Sequence, residues 1–256
     1  MPSDSKQDAI ADVSVKEILA RLRLSHQDLN KLPIVQLQSI LADLTVKEIL
    51  LLCTTNKKFD VACKEESFWK NKVFSDYGIE KKYGTTWKET AQRMSQINMI
   101  NMNKKWIDGQ TYKELFDMAI REITDELNVI RMTEIEKFIK DIPPFCSFEY
   151  ENLRDEKEVQ DYSEQNLDRR LTREELDKLE FVNSREMLVI FAASGTYESG
   201  KQGGKDLLPG DDNYYSQFDF NNIPNQEKFI LQLVDPMLYV MQFSSFPIEE
   251  LRKFSI

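Results

Sequence analysis

Residues 32–69 read LPIVQLQSILADLTVKEILLLCTTNKKFDVACKEESFW, and this stretch decides what kind of fold the chain builds. Leu37, Ile40, Leu41 and Leu44 recur at the three- and four-residue spacing of one helix face, and Ile49, Leu52 and Cys53 do so again. Between the two groups stands Thr45-Val46-Lys47-Glu48. A hydroxyl and a carboxylate three residues apart each satisfy one free backbone amide at a helix start. Phe59, Phe68 and Trp69 follow as large apolar side chains. The spacing predicts two or three short amphipathic helices.

On the amino-terminal side, Ser14-Val15-Lys16-Glu17 repeats the capping signal and predicts a helix from Val15 to about Arg23, after a polar stretch, residues 1–11, expected to fray. The nine residues from Ala11 and the nine from Ala42 differ only at Val13/Leu44 and Ser14/Thr45. An array needs several such units to bury a continuous core, so the duplication reads as one capping solution used twice.

On the carboxyl side, Phe74, Tyr77, Tyr83 and Trp87, with Gly78 and Gly84 as turn residues, extend the unit to about Met94. Ile97 to Trp106 is rich in Asn and Met and reads as a connector. Thr111-Tyr112-Lys113-Glu114 opens a long helix with the stripe Leu115, Ala119, Ile123, Leu127 and Ile130, continuing through Ile135 to Ile139. Pro143-Pro144 stops it. The charged stretch 149–180 admits a solvated helix or a hinge, and Thr172-Arg173-Glu174-Glu175 predicts a capped helix at its end. Beyond Asn183, the runs Met187 to Ala193, Tyr215 to Phe220, Phe229 to Val234 and Leu238 to Phe243 are short, apolar and separated by Gly, Pro, Asn and Asp, a pattern that reads as strands. Pro247 to Phe254 reads as a closing helical turn.

The expected fold is therefore α+β. A polar segment and short helix span 1–30, a helical module 31–95, a helical segment 96–148, a charged segment 149–182 and a smaller strand-rich region 183–256.

The composition fits this plan. Of 256 residues 41% are hydrophobic, enough for a sizeable core, and only 8 are Gly and 8 Pro, which favours helices over loops. A formal net charge of −10 repels phosphate backbones and anionic lipid, so neither nucleic acid nor membrane is expected as a partner. No run of about 18 apolar residues is present, and the start Met1-Pro2-Ser3-Asp4 lacks the pattern of a signal peptide. Cys53, Cys63 and Cys146 are an odd, sparse set without metal-ligand spacing, and two fall in apolar stretches where a thiol acts as a small hydrophobe. A reducing compartment, cytoplasm or nucleus, is the expectation.

Residues 32–69 resemble the F-box, the short helical motif that attaches proteins to the Skp-type adaptor of cullin-based ubiquitin ligases. Leu32-Pro33 stands where the family opens with Leu-Pro. Ile40-Leu41 and Leu44 match its first-helix apolar positions, and Ile49 with Leu52-Cys53 those of the second. Asn56-Lys57-Lys58-Phe59 resembles its Ser-Lys-x-Trp stretch, and Ser67-Phe68-Trp69 its closing Trp. Val35 and Gln36 depart from a usual Glu and Leu, and Phe59 from the commoner Trp. Asn71 to Met94 resembles the extension found in F-box-like proteins of large DNA viruses.

The resemblance implies an adaptor, not an enzyme. Leu32, Pro33, Leu37, Ile40, Leu41, Leu44, Ile49, Leu52, Phe59 and Trp69 would dock the Skp-type protein, and the carboxy-terminal region would hold a client. Short helices cannot hide all their apolar side chains among themselves, which is the physical reason for a docking role. The same residues packing as a core without a partner is the plain alternative. A second reading, a structural or assembly protein such as a minor virion component, uses the same helices as a joint between virion proteins. The viral resemblance places the protein in a host cell under the first reading and in a virion under the second.

Other signals point away from catalysis. Gly195 to Lys201 follows an apolar run as G-x-x-x-x-G-K, yet Gln202 stands where a phosphate-binding loop needs Ser or Thr, and a glycine-rich, hairpin-like loop is the expectation. His26 is the only histidine, so a multi-histidine metal site has too few ligands and a His-based triad would have to be built on this one imidazole near the amino terminus. Acidic pairs such as Glu65-Glu66 and Asp211-Asp212 read as solvated surface. Neither cofactor nor metal is expected.

Overall fold

The computed structural model describes residues 14–23, 32–55, 57–107, 109–121, 126–142, 155–201 and 235–254. The chain divides into two compact units, Met1–Gln96 and Ile97–Ile256.

In the first unit the described helices are α1 (Val15–Arg21), α2 (Ile34–Ala42), α3 (Val46–Thr55), α4 (Lys57–Cys63), α5 (Glu66–Tyr77) and α6 (Trp87–Gln96). α3 lies along α4 and α5 along α6, while α2 and α5 flank α4, and α1 and α6 flank α3. The apolar faces read from the sequence meet in the middle, where Leu41, Ile49, Leu52, Trp69 and Val73 are 0% exposed. Gly78 takes φ 68°, which a Cβ would oppose, and so ends α5.

The capping signals hold. Ser14 with Glu17, Thr45 with Glu48, Thr111 with Glu114 and Thr172 with Glu175 exchange hydroxyl and carboxylate hydrogen bonds with the backbone amides at the starts of their helices. The duplicated segment thus opens α1 and α3, which pack together, and Arg21 of the first pairs at 2.6 Å with Glu48 of the second.

The second unit contains α7 (Tyr112–Ala119), α8 (Glu126–Phe138), α9 (Glu156–Leu167), α10 (Arg173–Val182), α11 (Arg185–Lys201), α12 (Met237–Ser244) and α13 (Ile248–Leu251), which runs into a 3-10 turn at Arg252–Phe254. α11 is central, with α7, α12 and α13 packed on it, and α8 packs on α7 and α10.

Four expectations are corrected here. The fold is not α+β: among the described residues there is no strand, only an isolated bridge between Lys105 and Thr111. Met187 to Ala193 lies within α11 and Leu238 to Phe243 within α12. The reason is burial all round. Met187, Val189, Ile190 and Ala193 are 0% exposed, and a helix enclosed on every side carries a continuous apolar run indistinguishable by period from a buried strand. Tyr215 to Phe220 and Phe229 to Val234 lie outside the described residues, as do 1–11, His26, Pro143-Pro144, Cys146 and Gln202. The glycine loop at Gly195 to Lys201 is likewise the last two turns of α11.

The long helix from Thr111 is also broken. α7 ends at Ala119, where the Ile120 and Arg121 amides donate to the Phe116 and Met118 carbonyls. Ile135 and Ile139, at 0 and 1% exposure, belong to the core contributed by α8 and its C-terminal end. Finally, Cys53 and Cys63 are joined in a disulfide, Cα to Cα 6.1 Å, rather than free thiols. One residue separates α3 from α4 in sequence, and the two helices pack so that positions 53 and 63 meet.

Candidate functional site

Pro33 starts α2 with φ −59° and ψ 151°, the extended geometry of a residue entering a helix, and supplies no side-chain cap. Its ring costs nothing there, because the first amides of a helix have no internal partner. From this entry the ten candidate docking residues separate into two groups. Leu37, Leu41, Leu44, Ile49, Leu52, Phe59 and Trp69 are only 0–2% exposed and form the interior of the first unit. For these seven the plain core reading wins over direct docking. Pro33 is exposed, and Leu32 and Ile40 are half-buried.

Two residues that the family pattern marked as neutral or departing complete the outer group. Ile34 is 41% exposed and Val35 76%. Leu32-Pro33-Ile34-Val35 is therefore a continuous apolar strip at the amino-terminal end of α2, with Leu37 and Leu41 on the opposite, buried side of that helix.

The strip is held from behind. At the far end of α2 the Ala42 carbonyl, which has no partner within its own helix, accepts a hydrogen bond from Lys72 Nζ at 2.7 Å. Lys72 is 6% exposed and also pairs with Asp76 at 2.8 Å. Its charge lies where the negative end of the helix dipole favours a cation. At the other side of the bundle, burial would raise the Glu48 carboxyl. The Thr45 amide, the Arg21 guanidinium and the Thr45 hydroxyl together hold it below its ordinary value instead. In the centre the Trp69 indole N–H donates to the Cys63 carbonyl at 2.7 Å.

Neither Lys72 nor the disulfide was singled out in the sequence as part of the module. A buried lysine has no periodic signature, although an amphipathic pattern interrupted by a cation beside Val73 is a faint one. Val35 was readable as an apolar residue at a position where a helix start tolerates polarity.

The second unit has a cleft of about 580 Å³ near the start of α11, lined by Asp155, Glu156, Arg173, Arg185, Glu186 and Arg252 among others. Charge of both signs lines it, and its groups serve each other. Arg173 pairs with Asp177 at 2.8 Å and Glu156 at 3.3 Å, Glu186 with Lys104 at 2.7 Å, and Arg185 donates to the Asn98 and Ser244 carbonyls. Ser184 accepts from the Met187 amide, and its hydroxyl lies 3.2 Å from that of Tyr112. Burial pushes the Tyr112 phenol up to about 12, so it stays neutral at ordinary pH. Ser184 is thus the cap of α11. Arg131, 1% exposed, donates to Asn183 at 2.9 Å and stacks over Phe191, tying α8 to α10 and α11. Among the described residues no helix is long and apolar enough to cross a membrane.

No protein-family model, no curated protein and no solved structure matches this chain.

Proposed function

We propose that the first unit is an F-box-like docking module that holds a Skp-type adaptor through Leu32-Pro33-Ile34-Val35, while the second unit presents the surface for a client protein. Ubiquitin transfer is then the work of other subunits. The observation that carries this reading is the exposure of Val35 and Ile34 beside Pro33, in the segment where the resemblance to the F-box begins. A β-branched side chain left 76% in water at the start of a helix buries little of its apolar surface within the fold. Covering Ile34 and Val35 with a partner removes apolar area from water at about 25 cal/mol per Å², roughly 1–2 kcal/mol for each side chain. Seven of the anchors then act indirectly, by fixing the helix that offers the strip.

The test is direct binding of a purified Skp-type adaptor to the full chain, compared with Ile34→Glu and Val35→Glu. Both positions are at the surface, so circular dichroism and thermal midpoint are expected to stay unchanged while capture is lost. A wild-type chain that does not bind the adaptor, or that retains binding in both variants, removes the reading. Capture of coat or scaffold proteins alone supports the architectural role instead.

A further inference from the structure

The disulfide between Cys53 on α3 and Cys63 on α4 joins helices that already bury Leu52, Phe59 and Ala62 and are one residue apart in sequence. Closing a loop of ten residues restricts the unfolded chain less than closing a long one would. Its two sulfurs sit in different surroundings. Cys63 is 2% exposed and its carbonyl is held by the Trp69 indole. Cys53 is 8% exposed and lines an open cleft of about 690 Å³ together with Thr54, Thr55, Lys57, Lys88 and Gln92. Asp60 is also on this cleft, but it is paired with Lys64 at 2.6 Å. No ion pair engages Lys57 or Lys88 among the described residues. The cleft therefore offers a sulfur, two ammonium groups and several neutral hydrogen-bonding side chains.

We propose that Cys53 is a thiol-exchange site for a small dicarboxylate thiol of the glutathione type. Such a molecule carries two carboxylates, which the two lysines match, and peptide groups, which the Gln92 amide matches; Thr54 and Thr55 donate their hydroxyl protons to the Leu51 and Leu52 carbonyls and can only accept. Its thiolate attacks Cys53 Sγ. A new bond forms between that sulfur and the incoming one, the Cys53–Cys63 bond breaks, and the electron pair leaves on Cys63 Sγ, which takes a proton from water. The first step is an exchange and consumes no oxidant. A second thiolate attacking the mixed disulfide releases the oxidised small molecule and leaves both protein sulfurs reduced. The two ammonium groups act on the carboxylates of the incoming molecule and so raise its local concentration at Cys53, an advantage that a neutral thiol does not share.

The experiment uses the full chain prepared without reductant. It is treated with reduced glutathione or with neutral 2-mercaptoethanol, quenched in acid, alkylated and cut with trypsin. Cleavage after Lys58 places Cys53 and Cys63 on separate peptides. Glutathione is expected on Cys53 and the alkylating label on Cys63. The double variant Lys57→Gln, Lys88→Gln should slow reaction with glutathione by roughly fivefold, the size of one or two solvent-screened ion contacts. Its reaction with 2-mercaptoethanol should be unchanged, and added salt should erase the difference. Free thiols at both positions at the outset overturn the proposal, as do glutathione on Cys63 or equally on both. An equal slowing of both reagents by the double variant overturns it too.

Discussion

Trp69 is fully buried and its only polar atom is spent on the Cys63 carbonyl. Trp69→Phe keeps an aromatic ring but leaves that carbonyl unpaired in the interior, which costs about 1–3 kcal/mol, and a urea titration of the full chain is expected to show a loss of that size. Glu175 gives a second residue-level expectation, this time in pH. Its carboxyl is held at about 2, chiefly by the Arg169 guanidinium, which donates to both oxygens at 2.8 and 3.1 Å, with the Thr172 amide and hydroxyl assisting. A carboxylate whose value is lowered by folding stabilises the native state above its ordinary value near 4.5 and loses that contribution as pH falls towards 2. The contribution at neutral pH is on the order of 2–3 kcal/mol. The stability difference between wild type and Glu175→Gln should thus be largest above pH 5 and shrink steadily between pH 4.5 and 2. A difference that does not change over this window contradicts the assignment.

At the scale of elements, local signals were legible and enclosed ones were not. The four capping boxes were readable because a hydroxyl and a carboxylate three residues apart interact within a single helical turn, with no help from the rest of the chain. Thr111→Ala accordingly removes the start of α7 at a cost of about 1 kcal/mol, measurable as a lowered thermal midpoint. α11 was misread because its surroundings, not its own period, decide its conformation. The glycine within it then looked like a loop. Gly195 is exposed in that helix, and a Cβ there meets nothing within 4 Å. Gly195→Ala should therefore stabilise the protein by up to about 1 kcal/mol, a rise of a few degrees in midpoint; a fall would argue against the helix. The disulfide was hidden for a related reason: a ten-residue spacing says nothing until the α3–α4 turn is known. In the stretch proposed to dock, periodicity marks Leu37 and Leu41 as one face without saying whether a partner or the chain's own core covers it, and only their burial assigns them to the core.

At the scale of the whole molecule, the charge of −10 is unevenly divided: Met1–Gln96 carries 15 Lys and Arg against 13 Asp and Glu, so the acidity belongs to Ile97–Ile256. Duplex DNA should not be retarded by the protein in an electrophoretic assay at physiological salt, because no counterion release offsets the repulsion. The apolar strip at Leu32 to Val35 lies on the first, nearly neutral unit, where charge opposes the approach of a partner little. Its anchorage has a mechanical side. Any tug on Val35 runs down α2 to Ala42, where Lys72 of α5 grips the last turn, its ammonium steadied by Asp76 one turn further along the same helix. The strip is consequently a handle bolted at its far end, and a pull strong enough to peel it away has to break an ammonium clamp before it unwinds a helix.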